Sequence, residues 1–112
     1  VSDAFGFRGL ENVFTAPYRV GDSEITDFIT KKTDEARAKQ LVTAYGDFLI
    51  ENGGTIERVK PFPDAEVISL FGTFEIFFSC GPYMAGVHQA EARSRAEELA
   101  LRLRNHLGEA CK

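Results

Sequence analysis

The clearest hydrophobic pattern of the chain lies between residues 73 and 88, where two apolar runs flank the turn Cys80-Gly81-Pro82. Both runs, 73–79 and 83–88, are short and rich in aromatic or other large apolar residues, which is typical of two β-strands joined in a hairpin. A two-residue loop fits at Cys80-Gly81 or at Gly81-Pro82. The two placements differ by two residues in register, so each side chain keeps its face in either case.

The two faces of this predicted hairpin differ in chemistry. One face is apolar and is predicted to be core: Phe74, Ile76, Phe78, Tyr83, Ala85 and Val87. The other face, called here the mixed face, carries Glu75, Phe77, Ser79, Met84, Gly86 and His88. We expect the mixed face to point away from the helices, with Phe28 of the preceding hairpin beside it. It is then either a solvated surface or a contact surface, because exposed apolar clusters usually have a partner.

The remaining elements follow from the same kind of pattern. Alternating apolar positions predict strands, and apolar positions three and four residues apart predict helices. The further predicted strands are 13–20, 23–31, 55–60 and 65–71, and the predicted helices are about 34–52 and 91–107. Thr33 is the expected N-cap of the first helix, and Gly53-Gly54 is expected to end it.

This order of elements, ββα-ββββ-α, predicts a single α+β domain over residues 1–112. Most strand connections are short, so the sheet should be mainly antiparallel, with five or six strands. Each helix has one apolar stripe, and we expect both helices to pack on one face of the sheet. The side chains expected to be buried together are Leu41, Tyr45, Phe48, Leu99 and Leu103 from the helices and Phe74, Ile76 and Phe78 from the hairpin.

Composition and charge narrow the choice of partners. The net charge is -4 and the pI is about 5.2, which argues against nucleic acid, because nucleic-acid binding depends on clustered Lys and Arg. No apolar run approaches the roughly 18–20 residues needed to span a bilayer. The sequence begins at Val1, and Met84 is its only methionine, so we expect it to be part of a longer or processed chain.

Two positions are candidates for chemistry. In one register His88 lies opposite Glu75, which could begin a general base, but no nucleophile accompanies the pair, and such cross-strand pairs are common on surfaces. Asp27 falls on the apolar face of the first hairpin, where an unpaired charge is costly. Either a bulge at Pro17 tilts it outward, or Tyr18 or a backbone amide satisfies it, or it is a buried functional acid. The charged residues of the last helix, Arg102 among them, indicate a solvated helix face.

The cysteines and glycines do not point to a metal or a nucleotide. Cys80 and Cys111 lack metal-ligand spacing and are expected to be free thiols. No glycine-rich segment precedes a helix at the spacing of a phosphate loop. We therefore predict neither a metal site nor a cofactor.

Three segments resemble an uncharacterised family of bacterial domains that occur mostly in exported proteins. They are Leu10-Glu11-Asn12-Val13-Phe14-Thr15-Ala16-Pro17-Tyr18, Ala44-Tyr45-Gly46-Asp47-Phe48-Leu49 with Gly53-Gly54, and Gly81-Pro82-Tyr83-Met84-Ala85-Gly86-Val87 leading into Ala96-Glu97-Glu98-Leu99-Ala100. The resemblance covers most of the chain and rests on core and turn residues. It implies an exported domain preceded by a similar unit in a longer chain, and it carries no site residues over.

Two functional hypotheses follow from these observations. The favoured one is a non-catalytic binding or assembly module that meets a sister domain, a second copy or a ligand through the mixed face. Its candidate contact residues are Phe77, Met84, His88, Glu75 and Phe28. The alternative is a small ligand-binding domain or enzyme with a site around His88, Glu75 or Asp27. The lack of a complete nucleophile–base or metal constellation favours the module.

Overall fold

The computed structural model of the chain describes residues 14–20, 23–58 and 60–108. Within these ranges the strands and helices follow the predicted order ββα-ββββ-α. The strands are β1 (Phe14–Val20), β2 (Ser23–Lys31), β3 (Thr55–Ile56), β4 (Glu66–Leu70), β5 (Thr73–Cys80) and β6 (Tyr83–Ala90), and the helices are α1 (Glu35–Glu51) and α2 (Arg93–Leu107). The predicted α+β class is confirmed.

The strands form one antiparallel sheet of six strands in the order β1-β2-β6-β5-β4-β3. Cys80 pairs with Tyr83, so the loop of the aromatic hairpin is Gly81-Pro82. Gly81 has φ +56°, a left-handed conformation that favours glycine. The first hairpin joins the second through pairing of β2 with β6, where Phe28 lies opposite Gly86. This pairing brings residues far apart in sequence together at the centre of the sheet.

The two helices pack on opposite faces of this sheet, so the prediction that they share one face is wrong. On the α1 face, the buried cluster contains Phe28, Leu41, Tyr45, Leu49, Ile68, Phe77 and Met84. On the α2 face, Ala96, Ala100 and Leu107 pack with Ile25, Val67, Ile76, Phe78, Ala85 and Val87, and Leu99 and Leu103 pack against them while partly exposed. The predicted partners of α1, namely Phe74, Ile76 and Phe78, therefore belong to α2.

The physical reason lies in β5. Ile76, Phe77 and Phe78 are consecutive and each is fully buried, although successive side chains of a strand point to opposite faces. A strand that is apolar on both sides is stable in water only when both faces of the sheet are covered. One helix on each face meets that requirement. The apolar stripe of a helix shows that it packs on a sheet, but it does not select the face.

The ends of the elements differ locally from the prediction. Asp34, not Thr33, caps α1, since its carboxylate accepts a hydrogen bond from the Arg37 backbone N–H at 2.9 Å. The expected stop of α1 is confirmed, because Gly53 has φ +104° and the Gly54 N–H donates to the Leu49 carbonyl at 2.9 Å. Strand β3 contains two residues rather than six, and α2 begins two residues later than predicted.

Cys80 is disulfide-bonded, so the expectation of free thiols is wrong. Cys111, the only other cysteine of the chain, lies outside the described residues. Residues 1–13 and residues 21–22, which connect β1 to β2, likewise lie outside the described residues.

Candidate functional site

The residues predicted for the mixed face are not available to a partner. Phe28, Phe77 and Met84 are buried beneath α1, each with no more than 1% of its surface exposed. Gly86 lies between the two phenylalanines across the strands, and a Cβ placed there would come within 2.3 Å of the Ile76 carbonyl oxygen. The prediction that this face is open is therefore wrong, and the structure gives no support to contact with a second domain or copy through it.

Glu75 and His88 do lie opposite each other, and a β-bulge in β6 brings a third donor to the same carboxylate. His88 and Gln89 together face Glu75, because the β5–β6 register shifts between Phe74 and Ile76. His88 Nδ1 lies 2.6 Å from Glu75 Oε1, and the Gln89 backbone N–H donates to Oε2 at 2.6 Å. Gln89 adopts φ +58°, which turns its N–H toward the carboxylate. A carboxylate only accepts, so the imidazole donates through Nδ1.

Tyr45 on α1 provides a third hydrogen bond to Glu75, and this hydrogen bond was not predicted from the sequence. Its hydroxyl donates to Glu75 Oε1 at 2.7 Å, across a contact between α1 and β5. Burial, the Glu75 charge and this hydrogen bond together raise the pKa of the Tyr45 hydroxyl far above its usual range, so it remains a donor. The helical spacing of Leu41, Tyr45 and Leu49 predicted burial of the ring, but its hydroxyl partner depends on which face α1 covers.

The hydrogen bonds of the Tyr45–Glu75–His88 group connect α1 to the sheet, and we call this group the structural tie. Glu75 is 1% exposed, and three donors, one from α1 and two from β6, satisfy its carboxylate. Ser79 lies four residues further along β5, and Cys80 is held in a disulfide. Among the described residues, neither side chain is therefore placed as a nucleophile activated by His88.

Replacing Tyr45 with phenylalanine should lower the free energy of unfolding by about 1–2 kcal/mol, because one donor to a buried carboxylate is lost while the ring packing stays. Chemical denaturation monitored by circular dichroism measures this change. Tyr83→Phe is the matched control, since Tyr83 is partly exposed. The Lys31 ammonium lies over its ring, and no hydrogen bond joins its hydroxyl to a buried carboxylate among the described residues. A loss at Tyr45 no larger than that at Tyr83 would show that the tie contributes nothing to stability.

Asp27 forms a second and chemically different site on the α2 face. Its neighbours across the sheet are Ala16 on β1 and Val87 on β6, neither of which can bind a carboxylate through its side chain. Oδ1 is buried and has no hydrogen-bond partner, the one such side-chain atom in the described part of the chain. The predicted placement of Asp27 on this apolar face is confirmed by its pairing with Ala16 and Val87. The hydrogen bond that was expected from a neighbouring group is not formed at Oδ1.

Two cavities meet at Asp27. The first, about 200 Å³, lies between β2 and α2, and the described residues that line it are Asp27, Leu99, Arg102, Leu103 and His106. The second, about 180 Å³, is mainly apolar and extends toward the sheet edge, and the described residues that line it are Phe14, Thr15, Ala16, Asp27, Phe28, Ile29 and Leu103. Asp27 and Leu103 belong to both linings. We call the pair of cavities the Asp27 groove.

The electrostatics of the groove are set by α2. Burial raises the pKa of Asp27 to about 6, and the Arg102 guanidinium opposes this increase. No ion pair joins Arg102 to Asp27, and Arg102 instead contacts Glu98 at 3.4 Å. The carboxylate and the guanidinium therefore face one cavity without touching. Arg102 was predicted to lie on a solvated helix face. A position beside the sheet could have been predicted from the helical spacing, since Arg102 and His106 flank the apolar residues Leu99 and Leu103.

Replacing Asp27 with asparagine should raise stability at pH 7 by about 1 kcal/mol, a value reduced for partial solvent exposure. Because the folded-state pKa is above the unfolded one, Asp27 holds more protons in the folded state, so stability falls as pH rises from about 4 to about 6. Urea denaturation from pH 4 to pH 8 should show that the difference between wild type and Asp27→Asn grows over this window. The exposed Asp47→Asn is the control, and an equal pH profile for both variants would contradict the assignment.

Neither a metal site nor a membrane helix is found in residues 14–20, 23–58 and 60–108. No group of three His, Cys, Asp or Glu side chains is arranged to hold a metal ion there. Neither helix of that part of the chain is long and apolar enough to cross a bilayer.

Comparisons with known proteins add no assignment to this geometry. No protein-family model matches the sequence, and no curated protein and no solved structure matches it either.

Proposed function

We propose that the chain is a non-catalytic binding domain that takes a small amphipathic molecule in the Asp27 groove. The observation that carries the proposal is the buried Asp27 carboxyl oxygen without a partner, at the point where two cavities meet. An unpaired buried oxygen costs the folded protein free energy, on the order of 1–3 kcal/mol. A ligand that brings a hydrogen-bond donor offsets this cost, and such uncompensated groups concentrate at functional sites.

The size and chemistry of the groove support an amphipathic ligand. Each cavity alone is smaller than the roughly 300 Å³ of the smallest usual ligand pockets, and the two together just exceed that size. One end offers a carboxylate and a guanidinium, and the other offers the apolar side chains of Phe14, Ala16 and Ile29. A few convergent polar groups beside an apolar wall are the usual composition of a small-molecule site.

Binding rather than catalysis is favoured by what the groove contains. Asp27, Arg102 and His106 can accept, donate and orient, but none of the side chains described as lining the groove is a thiol, and its one hydroxyl is Thr15. Thr15 and Asp27 have opposite parity across β1 and β2, so they lie on different faces of the sheet. The groove therefore lacks the nucleophile–base pair on one face that a hydrolytic site requires.

The compartment is part of the same proposal. Disulfides persist mainly in oxidising environments such as the periplasm and the extracellular space. The bond at Cys80 therefore supports export, as does the resemblance to bacterial exported domains. A sister unit elsewhere in a longer chain remains compatible with this function, although it would have to contact a surface other than the buried mixed face.

A fragment screen on the oxidised protein tests the proposal. Small amphipathic fragments are titrated into ¹⁵N-labelled protein, and amide shift changes are mapped onto the sheet. Bound fragments should perturb β2 around Asp27 and α2 from Leu99 to His106, and Asp27→Leu, which has no acceptor, should remove the effect of donor-bearing fragments. Fragments that perturb only residues outside the groove, in wild type and variant alike, would contradict it.

A further inference from the structure

We propose that the ligand of the Asp27 groove is a free α-amino acid with an apolar side chain, held as a zwitterion between Asp27 and Arg102 with its side chain toward Phe14. This inference rests on the proposed function and specifies its ligand class. It follows from the placement of two opposite charges that share a cavity but form no ion pair with each other.

The charges of the groove match both ends of a zwitterion. A simple cation would satisfy Asp27 but would meet the Arg102 guanidinium in the same cavity, and a simple anion would satisfy Arg102 but meet the Asp27 carboxylate. An ammonium and a carboxylate on one carbon satisfy both at once. The carboxylate of the ligand accepts from a planar guanidinium, which is suited to paired hydrogen bonds.

Arg102 is free to turn toward such a ligand at little cost. Its side chain is 71% exposed, and its contact with Glu98 is long, at 3.4 Å, so it is a surface pair of small energy. Asp27 can likewise turn, because the terminal torsion of a carboxylate is broad, and a partial rotation brings the buried Oδ1 toward the cavity and a donor of the ligand.

The apolar side chain of the ligand accounts for the second cavity. Phe14 is 76% exposed although it is large and apolar, and it borders the cavity together with Ala16, Ile29 and Leu103. A branched or aromatic ligand side chain lying there would cover part of the Phe14 ring and would itself be removed from water. The cavity runs from Asp27 toward the sheet edge, which is the direction that the side chain takes when the ammonium faces Asp27.

The pH dependence of binding follows from the groups that face Asp27. The strands contribute Ala16 and Val87, and α2 contributes Arg102 and His106. Because the carboxylate form of Asp27 binds the ammonium, affinity should rise with pH through about 6 and then level off. His106→Gln should keep this rise if Asp27 is its source.

The experiment compares four probes by NMR titration of the oxidised protein at pH 7.5. L-leucine is the test probe, leucinamide lacks the carboxylate, 4-methylpentanoate lacks the ammonium, and glycine lacks the apolar side chain. L-leucine should bind at least about tenfold more tightly than each of the others, since each lacks one charged or apolar contact. Asp27→Asn should remove the preference over 4-methylpentanoate and Arg102→Gln the preference over leucinamide, whereas Arg95→Gln, on the same helix but outside the groove, should leave both preferences unchanged.

The outcomes separate this inference from the proposed function. If leucinamide or 4-methylpentanoate binds in the groove as tightly as L-leucine, the groove is a ligand site but the zwitterion inference is overturned. If none of the four probes perturbs the groove while other fragments do, the amino-acid class is likewise overturned and the proposed function stands. If neither the probes nor the fragments perturb residues around Asp27, both proposals fail.

Discussion

Replacing Phe77 with alanine is expected to lower the free energy of unfolding by about 3–5 kcal/mol, as much as replacing its neighbour Phe78. The two rings lie in separate clusters, Phe77 under α1 and Phe78 under α2, and neither is exposed. If one face of the sheet were open, as the sequence pattern suggested, Phe77→Ala would cost well under 1 kcal/mol. Denaturant unfolding of the two variants therefore measures whether both faces are covered.

Two further variants make this comparison quantitative. Phe71→Ala is the exposed control, because the Phe71 ring is 87% exposed in the β4–β5 turn, and it should change stability by less than about 0.5 kcal/mol. Phe77→Leu and Phe78→Leu should each cost about 1 kcal/mol, so a difference remains measurable if the alanine variants do not fold. A Phe77 variant that behaves like the Phe71 variant would contradict the two-faced sheet.

Removing the disulfide should cost about 3–4 kcal/mol and lower Tm by roughly 10–15 °C. Cys80 is disulfide-bonded, and a disulfide stabilises the folded state mainly by restricting the unfolded chain. The variant Cys80→Ser with Cys111→Ser, compared with wild type by differential scanning calorimetry, measures the effect.

Reduction of the wild-type protein supplies the control for this comparison. Wild type in reductant should unfold at the temperature of the double serine variant, and the variant itself should not respond to reductant. Alkylation followed by mass spectrometry shows whether both thiols are free under these conditions. A reduced, fully alkylated wild type that keeps the Tm of the oxidised protein would contradict the expected stabilisation.

Local chemistry accounts for the parts of the fold that sequence predicted well. The hairpins around Gly81-Pro82 and between β1 and β2 follow from turn residues flanked by apolar runs, and the end of α1 follows from Gly53 in a left-handed conformation. These features depend on a few neighbouring residues. The face occupied by each helix depends instead on how the whole chain crosses the sheet, which no short window of sequence contains.

The same distinction holds for the candidate sites: positions along a strand were predicted, and contacts made by the helices were not. Strand parity placed Asp27 on an apolar face and Glu75 opposite His88, and both placements are confirmed by the pairing of the strands. Arg102, which faces Asp27 across a cavity, and Tyr45, which binds Glu75, come from helices whose docking was predicted wrongly or not at all. Contacts between a helix and a distant strand are long-range, so their identification required the tertiary structure.

The pairing of β2 with β6 also bears on the order in which the protein folds. Strands β3 to β6 are consecutive antiparallel neighbours, with two-residue turns between β4 and β5 and between β5 and β6, whereas β2 joins them only after a chain segment that includes α1 and three strands has been bridged. Closing that large loop is entropically slow, so local contacts are expected to form first. The β1–β2 hairpin is then the last unit to dock and the first to detach. The Asp27 groove, which needs both β2 and α2, exists only in the fully assembled state.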